Sequence, residues 1–126
     1  MTILVTGAAG FIGYHVTEAL LARGERVLGL DSLNAYYDVA LKEARLARLT
    51  PNKGFSFVRA DIADPESVAA ALAAHPDVDR VVHLAAQAGV RHSLKDPLAY
   101  VHANVRGHVV LLEAARRLKD FRHFVY

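Results

Sequence analysis

The segment Thr6-Gly7-Ala8-Ala9-Gly10-Phe11-Ile12-Gly13 sets three glycines at regular intervals directly after the apolar run Ile3-Leu4-Val5. That spacing suits chemistry done by bare backbone. Gly7 permits a tight turn, Gly10 lets the main chain approach a pyrophosphate with no side chain between, and Gly13 allows a following helix to pack closely on the strand. A helix opening at Phe11 and Ile12 would present free amides to an anion, with the dipole favouring negative charge. A glycine-rich strand-to-helix turn can also exist without a ligand, so the context decides: strand before, helix after. No Gly-Lys-Ser/Thr follows, which excludes the phosphate loop of nucleotide triphosphatases.

Further candidates fall at the ends of later apolar runs. Asp31 follows Val27-Leu28-Gly29-Leu30. A carboxylate there can accept both hydroxyls of an adenosine ribose and repels a 2′-phosphate, which favours NAD over NADP; it can equally cap the next turn. Asp61-Ile62 ends the run from Phe55, where an adenine edge would lie, although an aspartate in a turn is common. His83-Leu84-Ala85-Ala86-Gln87-Ala88-Gly89-Val90-Arg91 follows a fourth run, and Ala85 and Ala86 leave space where a ligand would sit. His83, inside the apolar strand, reads as a hydrogen-bonded core histidine. The other histidines lack metal-ligand spacing, and no metal is expected. Asn104 falls within a helix about one turn after Tyr100, facing a cofactor or facing solvent.

The elements that must position these residues alternate along the chain. Strands are expected at Ile3–Val5, Val27–Leu30, Phe55–Ala60, Arg80–Leu84 and from Arg122. Helices are expected from Phe11 to Arg23 with Gly24 as stop, and from Asp38 to Leu49. A third starts at the cap Asp64-Pro65 and runs to about Ala74. The fourth runs from Asp96-Pro97 to about Leu118, interrupted at Gly107. Strands alternating with helices predict an α/β fold, a Rossmann-type doubly wound parallel sheet in the order 3-2-1-4-5 with helices on both faces.

Composition narrows the classes. The chain has 126 residues, 53% of them hydrophobic and 22% charged, which suits one domain with a real core. No cysteine is present, so disulfides, thiolate metal sites and cysteine nucleophiles are excluded. Fifteen Lys and Arg oppose thirteen Asp and Glu, and the basic residues are scattered, so no nucleic-acid partner is expected. No apolar run approaches the ~18 residues of a membrane span. Met1 leads directly into Thr2-Ile3-Leu4-Val5 without a basic leader, so a cytoplasmic, non-membrane protein is expected.

Taken together, these residues resemble the extended short-chain dehydrogenase/reductase family, in particular its NAD-dependent nucleotide-sugar epimerases and dehydratases, across the whole chain. Gly7, Gly10, Phe11, Ile12 and Gly13 match the family's cofactor loop, Asp31 its ribose acid, and Asp61 with Ile62 its adenine pair. Leu84, Ala85, Ala86 and Gln87 match the segment along the pyrophosphate and nicotinamide ribose, and Asn104 the asparagine of the fourth helix. The run containing Asp31, Ser32 and Asn34, with Leu41-Lys42-Glu43-Ala44-Arg45-Leu46 and Gln87-Ala88-Gly89-Val90-Arg91, is similar to the group acting on UDP-glucuronate at C4. The resemblance implies NAD as cofactor and a UDP-sugar as substrate, approached by Gln87 and Arg91. It also implies a redox reaction at C4 that needs a Tyr-x-x-x-Lys pair and a Ser or Thr. The residues four after Tyr14, Tyr36, Tyr37 and Tyr100 are Glu18, Ala40, Leu41 and Asn104, so the pair is absent. The expectation is a cofactor-binding part, residues 1–126, without its catalytic residues or substrate domain and inactive alone. A rival expectation is a non-catalytic nucleotide-binding module that self-associates, as a homodimer, through an open edge at strand 5 and an uncovered apolar helix face.

Overall fold

A computed structural model describes residues 1–126. Five strands form one parallel sheet: β1 (Thr2–Thr6), β2 (Arg26–Asp31), β3 (Phe55–Arg59), β4 (Val78–His83) and β5 (His123–Val125). Their order is β3-β2-β1-β4-β5, the one expected from the sequence among the doubly wound orders. Connections run through α1 (Phe11–Ala22), α2 (Val39–Leu49), α3 (Pro65–Ala73), and a long segment containing α4 (Pro97–Tyr100) and α5 (Gly107–Ala115).

Alternate residues of each central strand feed two separate cores, because side chains along a strand point to opposite faces. Leu4, Leu28, Leu30 and Val81 pack with Val68, Leu72, Leu111 and Ala115 of α3 and α5. On the other face Ile3, Val5 and Val27 pack with Tyr14, Leu21 and Leu49 of α1 and α2. The sheet is thereby covered on both faces, and its strand ends remain free to form a site.

Local sequence sets the helix ends. The Asp38, Asp64 and Asp96 carboxylates accept amides of Ala40, Glu66 and Ala99, so each caps the helix that follows. Pro65 and Pro97 occupy first-turn positions, where their missing N–H costs nothing. Helix α1 stops where Gly24 takes φ +81°, a left-handed conformation that a side chain would resist.

The fourth helical segment departs from expectation. Its interruption precedes Gly107: residues Val101–Arg106 are π-helical, and α5 resumes at Gly107. A widened turn of this kind rotates one residue out of the regular ladder, here the stretch carrying Asn104. Gly107 then lies against Ile62, whose Cδ1 is 2.6 Å from where a Cβ would stand. Helix α5 ends at Ala115, short of the expected Leu118, and a 3-10 turn at Val90–Leu94 had no signal in the sequence. Strand β4 begins at Val78 rather than Arg80, since the Thr2 amide already donates to the Asp77 carbonyl there.

Candidate functional site

A cleft of about 1050 Å³ opens at the C-terminal ends of β1, β2, β3 and β4, where the strand order reverses. Gly7, Gly10, Phe11, Ile12 and Gly13 form its floor at the start of α1. Asp31, Ser32 and Asn34 line it beyond β2, Asp61 and Ile62 beyond β3, and Leu84, Ala85, Ala86 and Gln87 beyond β4. Of the residues singled out in the sequence for cofactor contact, Asn104 does not line the cleft; it acts one step behind the wall.

The glycines are used in three ways. Gly7 has φ +72°, and a Cβ there would stand 2.8 Å from the Ala85 amide nitrogen. A Cβ on Gly13 would fall 1.9 Å from the Gly7 carbonyl oxygen, so α1 can seat on the loop only with glycine at this position. Gly10 begins α1 with no side-chain cap. The Tyr14 amide is the one that donates to the Gly10 carbonyl. The amides of Phe11, Ile12 and Gly13 therefore precede the helical ladder and face the cleft as a set of N–H donors. With the helix dipole behind them they suit a diphosphate.

Asp31 is buried and caps the turn that follows it, one of the two roles its position allows. Its Oδ1 accepts the Leu33 amide at 2.8 Å, capping the turn in which Leu33 takes φ 54°. Its Oδ2 accepts the Ala9 amide at 3.1 Å, tying the glycine loop to β2. A carboxylate has about four lone-pair sites, so acceptor capacity remains for hydroxyls in the cleft. Sequence reasoning assigned no site role to two cations that line the cleft. Lys42 is buried, with Nζ donating to the Asn34 carbonyl at 2.8 Å and to Asn34 Oδ1 at 3.2 Å. Arg45 donates to the Ala9 carbonyl at 3.1 Å. Helical spacing carried the signal, because Lys42 lies seven residues before the buried Leu49 on one face of α2.

The far wall is built by side-chain clamps. Asn104 Oδ1 accepts the Gln87 amide at 2.8 Å, and its Nδ2 donates to the Gln87 carbonyl at 3.1 Å. That two-point grip falls within the π-helical turn, and the exposed Asn104 side chain holds the backbone of Gln87. Asp61 Oδ2 lies 2.7 Å from His102 Nε2, while its Oδ1 accepts the Ala63 amide at 2.9 Å. His102 is a lining residue that no sequence signal distinguished. The Tyr100 hydroxyl lies within reach of the carbonyls of Ala88 and Gly89, its one hydrogen shared between them, with Tyr36 reaching over Gly89 from the opposite lip. Arg91 lies in the 3-10 turn, exposed and outside the cleft lining.

Behind the wall, Thr6 and His83 are buried and lie 2.7 Å apart, Oγ1 to Nδ1. Burial, with the neighbouring His108 adding repulsion, pushes the His83 pKa down to about 4, so the ring is neutral near pH 7.

A glycine loop between the first strand and helix, an acid ending the second strand, and a cleft at the switch point define a Rossmann-type dinucleotide-binding domain. The sequence pattern of the NAD dependent epimerase/dehydratase family matches residues 3–126, and the chain belongs to that family. A UDP-glucuronate 4-epimerase of Arabidopsis thaliana is 49% identical over 116 residues, covering 92% of this chain and 26% of the relative. One of Thermodesulfobacterium geofontis is 46% identical over 118 residues, covering 94% and 35%. The UDP-glucuronic acid 4-epimerase of Bacillus cereus, solved with UDP-glucuronic acid and NAD, superposes with a TM-score of 0.87 at 40% identity. That match covers 98% of this chain and 38% of the other. The chain thus spans between about a quarter and two-fifths of the length of these relatives. No helix is long and apolar enough to cross a membrane.

Proposed function

We propose that residues 1–126 are a dinucleotide-binding domain that takes NAD in the cleft. We further propose that they are the cofactor-binding region of a UDP-sugar 4-epimerase whose substrate is UDP-glucuronate. The observation that carries the cofactor reading is the placement of Asp31: a buried carboxylate in the cleft, tied by one hydrogen bond to the loop whose amides suit a diphosphate. The relatives at 46–49% identity support the substrate.

The residues present fit the cofactor. The amides of Phe11, Ile12 and Gly13 would orient the diphosphate, and Asp31 would accept the adenosine ribose hydroxyls. Ser32 and Asn34 would border that ribose, and Asp61 with Ile62 the adenine. Leu84, Ala85, Ala86 and Gln87 would border the nicotinamide half, with Asn104 holding Gln87 in place. Bound NAD would supply a hydride acceptor that takes a hydride from a sugar carbon and returns it. No Tyr-x-x-x-Lys pair occurs in these residues, so nothing here is assigned to move the sugar's proton. Gln87 would approach the sugar nucleotide, while Arg91, outside the cleft lining, is left without a contact to it here.

Two assays test this reading. Titration calorimetry should show NAD binding by the 126-residue chain. The same chain mixed with NAD and UDP-glucuronate should give no UDP-galacturonate by NMR, and turnover would overturn the assignment of catalysis to other residues.

A second reading, a self-associating module, draws on one feature. Val101, Val105, Val109 and Leu112 are exposed along one side of the π-helical turn and α5. A second copy of this chain would cover that stripe.

A further inference from the structure

We propose that His83 is a positioning residue of the cofactor cleft, holding the Thr6 hydroxyl so that it fixes the Leu84 and Ala85 amides in the cleft wall. The proposal rests on the NAD-binding reading for its consequence and on hydrogen-bond counting for its substance.

Thr6 Oγ1 lies 3.1 Å from the Leu84 amide nitrogen and 3.1 Å from that of Ala85. The Leu84 amide is shared with the Thr6 carbonyl at 3.3 Å. A hydroxyl offers two lone pairs and one hydrogen. Both lone pairs face N–H donors, so the hydrogen must go elsewhere, and His83 Nδ1 at 2.7 Å stands where it can receive it. His83 is therefore the acceptor, with a bare Nδ1 and its proton on Nε2. The reverse tautomer would set three donors against two lone pairs and leave the hydroxyl hydrogen without a partner, in a buried place where such a mismatch is costly.

The consequence reaches the ligand side directly. Leu84 and Ala85 line the cleft, and Ala85 lies so close to Gly7 that no Cβ fits between them. The Thr6 hydroxyl thus fastens the end of β4 to the end of β1, and His83 fixes the direction of that hydroxyl. The groups facing His83 are Thr6 on β1, His108 on α5 with a ring centroid at 5.2 Å, and Phe124 on β5 at 6.2 Å; Tyr126 packs on His108. Protonation of His83 would put a hydrogen on Nδ1 and force Thr6 to give up one of the two amides.

The test starts with the unliganded chain. Nitrogen-15 NMR of the imidazole should show protonated Nε2 and bare Nδ1 near pH 7; a protonated Nδ1 overturns the proposal. On acidification the Leu84 and Ala85 amide resonances should move with the His83 titration, and amides indifferent to it contradict the proposal. His83→Phe removes the acceptor, and His83→Asn offers an amide oxygen near the place of Nδ1. Amide exchange at Leu84 and Ala85 should quicken about tenfold in the first, the loss of roughly one hydrogen bond, and recover in the second. NAD affinity should fall and recover in parallel. Equal exchange in the His83→Phe variant overturns the proposal, and the titration read in the unsubstituted chain decides it if that variant fails to fold. Should the unsubstituted chain bind no NAD, the functional reading fails, while the tautomer and titration still judge His83.

Discussion

Asp31 joins structure and recognition in one side chain, and substitutions there separate the two. Asp31→Ala removes the acceptor for both the Ala9 and Leu33 amides, leaving two buried donors unpaired. Each should cost about 1–3 kcal/mol, measurable by urea denaturation. Asp31→Asn keeps one acceptor oxygen and removes the charge. It should lose less stability, yet lose most of the discrimination against a 2′-phosphate. The two substitutions together show whether affinity changes by charge or by collapse of the turn. Glycines allow a similar separation. Gly13→Ala sets a Cβ against the backbone oxygen of Gly7, which cannot move aside, and should cost at least about 1–3 kcal/mol and abolish nucleotide binding. Gly24→Ala meets nothing within 4 Å and pays only for its left-handed φ, so about 1 kcal/mol is expected with binding unaffected.

Helices and strands were legible in the sequence to the extent that their signals are local. Asp-Pro pairs at Asp64-Pro65 and Asp96-Pro97 fixed helix starts, and the alternation of apolar runs pointed to the parallel sheet. Its order followed from the glycine loop after the first strand and the doubly wound pattern that loop belongs to. What escaped is tertiary in origin. The π-helical turn at Val101–Arg106 carries Asn104 to Gln87, a residue distant in sequence, and no local pattern encodes that contact. Lys42 shares a face of α2 with the buried Leu49, but its carbonyl partner in the loop after β2 and that of Arg45 in the glycine loop after β1 come only from tertiary packing. Asn104→Ala should therefore act through its element: both polar groups of Gln87 lose a partner, and amide exchange at Gln87 should quicken while the strands stay protected. Gly107→Ala, by contrast, meets the Cδ1 and Cγ1 of the buried Ile62 side chain rather than backbone, and should cost less than Gly13→Ala in the same urea assay.

Across the whole molecule, two cores sandwich one sheet, and stability should respond to pH through the buried His83 and the half-buried Asp77. His83 has its pKa depressed from 6.5 to about 4, so the unfolded chain binds its proton first as the solution is acidified. Its contribution is complete above about pH 6.5 and is lost as pH falls towards about 4. Asp77, held below the usual carboxylate range chiefly by the Thr2 hydroxyl and also by Arg26, adds a loss at still lower pH. Thermal midpoints should fall in that order, with the upper step missing in His83→Phe. Self-association through the exposed valine stripe would appear in sedimentation velocity as a dimer, dispersed by Val105→Glu; a monomer at high concentration removes that reading. The central claim is that the cleft takes NAD and that the Asp31 carboxylate makes it prefer NAD to NADP. Parallel calorimetric titrations of the chain and of Asp31→Asn test it most directly. Tighter binding of NAD than of NADP by the chain, with the difference largely abolished in Asp31→Asn, is the expected result; equal affinity for the two nucleotides, or for neither, would contradict it.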